Sequence, residues 1–230
     1  MQNYSGFMGG LFNLAEWIMR ITITNVLWMI SNLPILFIVI MMVLTPSSLA
    51  ITIMAIPLAI LMPLLFFPTV SAVFAMVRDW IMNKDQSSLT MTYWKYVKEN
   101  YKTSFTYGSV ITLAWIVWTI DFYFFYQQNN LLGMVMVLIG LWLFVFTINH
   151  FCIRVHFHMT IKESIKNAFF ITIGNPLLFL SILIINSLLI YLSFRIWFVF
   201  PFFAVAITVF LSFFAFYRFT LKIEEKANSR

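Results

Sequence analysis

Charge is scarce in this sequence. Only 10% of its 230 residues are Asp, Glu, Lys or Arg, against about 25% in an ordinary soluble domain. That shortage leaves too little polar surface to coat a water-soluble fold. A single cysteine, Cys152, excludes an internal disulfide. No Walker phosphate loop occurs, which excludes ATP hydrolysis by that route. Neither paired carboxylates nor a nucleophile beside a base marks a catalytic centre. The expectation is therefore a non-enzyme with no cofactor and no metal. No signal-peptide cleavage pattern stands at the start, so the first apolar segment is expected to stay as an anchor.

What is present is hydrophobic: 62% of the residues. Apolar runs of about 20 residues recur, long enough to cross a hydrocarbon core of about 30 Å. Lipid offers the backbone no partners, so spans must be helices or a closed barrel. Unbroken runs, rather than alternating ones, select helices. The reading is an all-α polytopic membrane bundle, residues 1–230 forming one domain. About six spans are expected, near 21–44, 49–77, 104–126, 131–155, 177–194 and 196–219. A short lead, Met1 to Gly10, and an interfacial start, Leu11 to Arg20, precede them. Two amphipathic stretches, Arg78 to Thr103 and Thr160 to Ile173, read as helices on the membrane surface.

The net charge is +6. Its carriers sit beside the spans, where anionic headgroups attract them. The partner is a lipid bilayer, not nucleic acid. In the six-span arrangement thirteen of the fourteen basic residues share one side, leaving Arg195 alone on the other. Basic loops stay in the cytoplasm, so both termini are expected there.

The hairpin from Trp17 to Trp80 organises the chain. Its second arm holds Pro57, Pro63 and Pro68. Each removes a backbone donor, freeing the carbonyls of Ile53, Ala59 and Leu64. Kinks, or a break near Pro63, are predicted. Freed carbonyls line sites in some transporters, although a bend that only fits neighbouring helices needs no site.

Polar groups inside the spans invite suspicion. Asn25 and Asn32 lie seven residues apart, on one helical face with Trp28. They read as helix-to-helix glue or as a substrate site. Asn186 is the deepest lone polar group and needs a partner. Asp121 and Arg195 lie near outer span ends and are candidates to pair. His150, Cys152, His156 and His158 cluster at the end of the fourth span. Only Cys152 and His156 share a face there, and structural zinc takes four ligands. Trp17, Trp80, Trp94, Trp115, Trp118 and Trp197 mostly fall near span ends, as an interfacial belt requires.

Two segments echo one another. KENYKTSF (Lys98–Phe105) and KESIKNAF (Lys162–Phe169) share Lys, Glu, Lys and Phe at equal offsets. Surface helices of this kind can dock in a partner's groove. The candidate docking residues are Lys98, Glu99, Lys102, Lys162, Glu163, Lys166, Asn167 and Phe169. A helix that only anchors the fold is the plainer alternative.

Four stretches carry a family resemblance: MGGLFNLAEWIMR (Met8–Arg20), NVLWMISNLP (Asn25–Pro34), FPTVSAVFAMVRDWIMNKD (Phe67–Asp85) and YWKYVKENYKTSF (Tyr93–Phe105). With IKESIKNAFF (Ile161–Phe170), they resemble the YesL-like family of Gram-positive membrane proteins of unknown function. Where that family reads Pro-Ala-Thr-Ala-Ala, this chain has Pro68-Thr69-Val70-Ser71-Ala72. Members are often encoded beside carbohydrate ABC importers and polysaccharide-degrading enzymes. The resemblance thus implies a bacterial cell-membrane protein associated with sugar uptake. The segment from Thr160 to Pro176 also looks like the coupling helix of an importer permease. The expected function is accessory: binding a carbohydrate importer permease. The alternative is a small stand-alone transporter or channel.

Overall fold

A computed structural model describes residues 7–84, 86, 88–157 and 159–228. Of the residues singled out above, Met1–Gly6, Asp85, His158 and Arg230 lie outside the described residues. The described chain has nine α-helices, two short π-helical segments and no strand. The helices are α1 (Phe7–Ser31), α2 (Leu33–Leu44), α3 (Ser48–Leu61), α4 (Phe67–Ile81), α5 (Leu89–Gln128), α6 (Asn130–His156), α7 (Ile161–Gly174), α8 (Pro176–Arg195) and α9 (Val205–Asn228). Five described helices are long and apolar enough to cross a membrane, or up to six if α1 and α2 count as one bent span. The chain is an all-α, multi-pass helical bundle, as its composition requires.

α4 is its axis. From Phe67 to Trp80 nearly every side chain is buried. A helix buried all round must be surrounded, and α1, α5, α6 and α9 do so. Thr69, Ser71, Ala72 and Ala75 keep its girth small, which lets neighbours approach. Gly108 of α5 packs tightly against Phe67. A Cβ placed there would sit 2.7 Å from Phe67 Cβ.

Three boundaries differ from the sequence reading, each for a local reason. The expected first span, 21–44, is bent by 73° between α1 and α2. Pro34 lies at the start of α2. It has no N–H and crowds the carbonyl four residues back, so α1 cannot run through it. The expected second span instead continues without a break from Ser48 to Ile81, 34 residues. Pro63 does not break it. The π-helical segment Met62–Phe66 absorbs the disturbance, with Phe67 N–H bonded to Met62 O. The first amphipathic stretch is not a separate surface helix. From Leu89 to Gln128 one 40-residue helix runs about 60 Å. That stretch holds no proline and only one glycine, so nothing stops it. The remaining crossings begin and end close to expectation, α9 following the second π segment, Phe200–Ala204, instead of starting at Ile196.

α2 and α3 form a hairpin that the rest of the chain hardly covers. Only Ile35 is buried in α2, and no residue is buried in α3. From Leu33 to Leu61 there is no charged residue.

Candidate functional site: an apolar cavity inside the bundle

Trp28 of α1 has its side chain directed inward, together with Thr24, Asn25 and Asn32. The spacing of 24, 25, 28 and 32 puts all four on one face. That face meets α4 and the second π segment, and beside it the bundle encloses a cavity of about 640 Å³. A second space of about 330 Å³ adjoins it and shares Trp115, Phe144, Asn186 and Ile190 with it.

Both π segments line the larger cavity, the first through Met62 and Phe66 and the second through Phe200 and Ala204. Aromatic rings dominate its walls, among them Trp28, Phe67, Phe74, Trp115 and Phe151. No Asp, Glu, Lys, Arg or His lines it. Its few polar side chains are mostly engaged already. Thr147 donates to Leu143 O at 2.8 Å and accepts from Trp115 Nε1 at 3.3 Å. Asn186 finds the partner it needs on α9: its Nδ2 donates to Ser212 Oγ at 3.3 Å and to Ile182 O at 2.7 Å. The indole Nε1 of Trp28 is buried without a hydrogen-bond partner among the described residues.

Asn25 and Asn32 each hydrogen-bond across to another element of the bundle. Asn25 Nδ2 donates to Phe200 O (2.9 Å) and Pro201 O (2.7 Å). Its Oδ1 accepts from Val205 N (2.9 Å) and Ala206 N (3.0 Å). All four contacts satisfy backbone groups around the second π segment. Asn32 sits at the bend, donating to Trp28 O (2.8 Å) and Thr69 Oγ1 (2.9 Å).

The sequence reading passed over three buried polar groups. Asp79 is 3% exposed. It pairs with Arg78 at 2.7 Å, and Tyr96 donates a hydroxyl hydrogen bond to it. Arg78 also donates to Val155 O at 2.7 Å. Ser71, Ser104 and Tyr107 join their hydroxyls between α4 and α5. Asn149 donates to Thr172 Oγ1 at 3.0 Å, tying α6 to α7. Asp79 was legible in principle, since it lies on the helical face of Ala72, Ala75 and Met76.

Cys152 and His156, the two that share a helical face, are packed side chains. Cys152 is fully buried, and the His156 ring lies against Phe213, Phe216 and Tyr217. No group of three His, Cys, Asp or Glu is placed to hold a metal among the described residues. His150 is buried against the Tyr107 ring rather than reaching the headgroups. Asp121 and Arg195 do not pair; Arg195 stacks over Tyr191 instead. Trp80 is core, bonded to Gln86 Oε1 at 2.8 Å, and Trp115 and Trp118 are cavity wall. These indoles follow helix packing, which proximity to a span end does not reveal.

Residues 21–122 match a family described as "Protein of unknown function, DUF624". Over that region the chain is similar to an uncharacterised family. It is also 24% identical over 225 residues to the uncharacterized protein YteU of Bacillus subtilis (strain 168), covering 96% of this chain and 90% of that one. No solved structure matches.

The DUF624 region takes in α2, α3 and α4, the second part of α1 and most of α5. It therefore holds Asn25, Asn32 and Trp28, one wall of the cavity, while α6, α8 and α9 supply the rest. Within it Lys98, Glu99 and Lys102 stand exposed on α5. The other docking candidates lie beyond it on α7. There Lys162, Glu163, Lys166 and Phe169 are exposed, and Asn167 is half-buried, its Nδ2 3.1 Å from Met159 Sδ. α7 buries Ser164, Ala168 and Thr172 against α6, while Ile161 and Ile165 are half-buried and Phe169 is exposed. Small residues win that face because they allow the closer approach. The two echoing segments share this pattern: Ser104 and Ala168 are buried, and Phe105 and Phe169 are exposed.

Proposed function

We propose that this chain is an accessory integral membrane protein of carbohydrate import, binding an ABC importer permease and catalysing nothing itself. The outer face of α7 carries the reading. Phe169, Phe170 and Ile173 stand exposed beside Lys162 and Lys166, on a helix already fixed at both levels. Its start is held by a capping box between Thr160 and Glu163, and its inner face by α6. A rigid helix between two crossings, with an apolar and basic outer face, suits insertion into a partner's groove. The link to carbohydrate rests on the family resemblance alone. The chain sits in the bacterial cell membrane with both termini in the cytoplasm, on the distribution of Lys and Arg.

Pull-down in mild detergent from the native membrane tests this. A sugar permease is expected to co-purify, and to be lost when Lys162, Lys166, Phe169 and Phe170 are replaced by Ala or Ser. Recovery of the chain alone, where other importers survive intact, overturns it. The alternative reading, a small stand-alone transporter, draws support from the two π segments on one cavity, since such irregular turns recur at functional sites. Uptake into liposomes holding the purified chain distinguishes the two.

A further inference from the structure

The cavity is a built space in search of an occupant, and its chemistry narrows the choice. Its volume, about 640 Å³, falls in the range of small-molecule sites, roughly 300–1,000 Å³. Its floor is deep: Phe67, Phe151 and Val209 are 1%, 2% and 3% exposed. Its rim is open: Phe194 and Ile190 of α8 are 86% and 53% exposed. Both rim residues belong to a helix that qualifies as a membrane span. The opening is thus bordered by an apolar membrane-length helix, near its C-terminal end.

The walls reject charge. A charged group brought in would lose its hydration and meet no counter-charge, a cost of several kcal/mol. A sugar fares little better, because each hydroxyl needs its own partner and most polar groups of the wall are already bonded. What remains is a non-polar chain with at most one or two oxygens. Trp28 in the wall holds an indole N–H that no described residue accepts.

The two π segments point the same way. A π turn widens a helix and re-aims its side chains, and such turns recur at functional sites. Here both border one cavity, and Asn25 keeps the second in place with four hydrogen bonds.

We propose that this cavity binds one uncharged hydrocarbon chain of a lipid-class molecule, any charged headgroup staying outside, with entry from the bilayer between α8 and the Phe200–Ala204 segment. The chain comes either from a free neutral lipid, such as a long-chain alcohol, or from the tail of a neighbouring phospholipid. Binding here requires no permease, so it stands or falls separately from the accessory role.

Photolabelling of the full-length chain in lipid nanodiscs tests the proposal. One probe is hexadecanol carrying a diazirine; the other is phosphatidylglycerol with the diazirine on an acyl tail. Adducts are mapped by mass spectrometry. Saturable labelling of Phe151 and Val209, displaced by unlabelled hexadecanol or phosphatidylglycerol, supports the site, and the more effective probe reveals the source. Ala204→Trp fills the cavity, and Ser193→Trp narrows the rim with less demand on the core. In either variant that is well folded, cavity labelling is lost while labelling of Phe37 and Ile53 on the exposed hairpin persists. Labelling confined to Phe37, Ile53 and similar outer residues overturns the proposal. So does cavity labelling that no unlabelled lipid displaces.

Discussion

Asn25 on α1 clamps the backbone of Val205, which lies 180 positions later in the chain. The 2.9 Å bond from Val205 N–H to Asn25 Oδ1 is one of four that Asn25 makes to the turn around Pro201. Pro201 has no N–H, and the π turn leaves nearby groups short of helical partners. In lipid, water cannot fill those vacancies. One carboxamide, with two donors and a two-fold acceptor, can.

Replacing Asn25 with Leu therefore strands both donors and acceptors at once. Each unsatisfied buried group costs about 1–3 kcal/mol. Asn186→Leu leaves only a carbonyl that α8 also serves and a hydroxyl on α9, and is expected to cost less. Reversible unfolding in mixed micelles, read by tryptophan fluorescence, compares the two. Equal losses would mean that the clamp contributes no more than an ordinary interhelical bond.

The buried pair of Asp79 and Arg78 predicts an asymmetry. Asp79→Leu leaves the Arg78 guanidinium without its carboxylate and is expected to destabilise by about 3–5 kcal/mol. Replacing both, as Asp79→Leu with Arg78→Met, removes the stranded charge and recovers much of that loss. A double-mutant cycle on unfolding free energy measures it. A double variant as weak as the single one would show that Asp79 acts through Tyr96 or Gln86 instead.

At Gly108 the contact is with Phe67 Cβ, an atom tied to the α4 backbone and unable to swing away. Gly108→Ala is expected to cost about 1–3 kcal/mol through overpacking, despite alanine's better helix propensity. Gly10, where an added Cβ meets nothing within 4 Å, serves as the control. Gly10→Ala should be neutral or stabilising in the same melt.

The capping box of α7 predicts a pH effect. The Thr160 backbone N–H and hydroxyl both donate to Glu163, holding its carboxyl below the ordinary value of 4.5. A depressed carboxyl contributes fully above its ordinary pKa and loses that contribution as pH falls through the lowered one. Thr160→Ala removes the hydroxyl and should move Glu163 back toward its ordinary value. A carboxylate NMR titration of the two forms reads this directly. An unmoved Glu163 would mean that the backbone N–H alone sets the shift.

How much of this was legible beforehand depends on the range of the cause. The shortage of charge and the length of the apolar runs demanded membrane helices, because lipid allows few alternatives. Asn186 was marked as needing a partner, and it has one in Ser212. The bend at Asn32 was written in Pro34, but its effect was read one span too late, at Pro63. Both prolines remove the same bond. Pro63 is carried inside a widened turn packed against α5, whereas Pro34 is not.

The sequence by itself determined the solvent, the helical class and the number of crossings to within one, since these follow from local composition and chain geometry. It also marked Asn25 and Asn32 as inward-facing, because helical spacing is local. Only the tertiary structure decided which of two apolar neighbours becomes core. In lipid, apolar character no longer separates inside from outside, and shape and small-residue contact do the sorting. That is why α4 is buried, the α2–α3 hairpin is bare, Asp79 has partners, and a cavity opens beside Trp28.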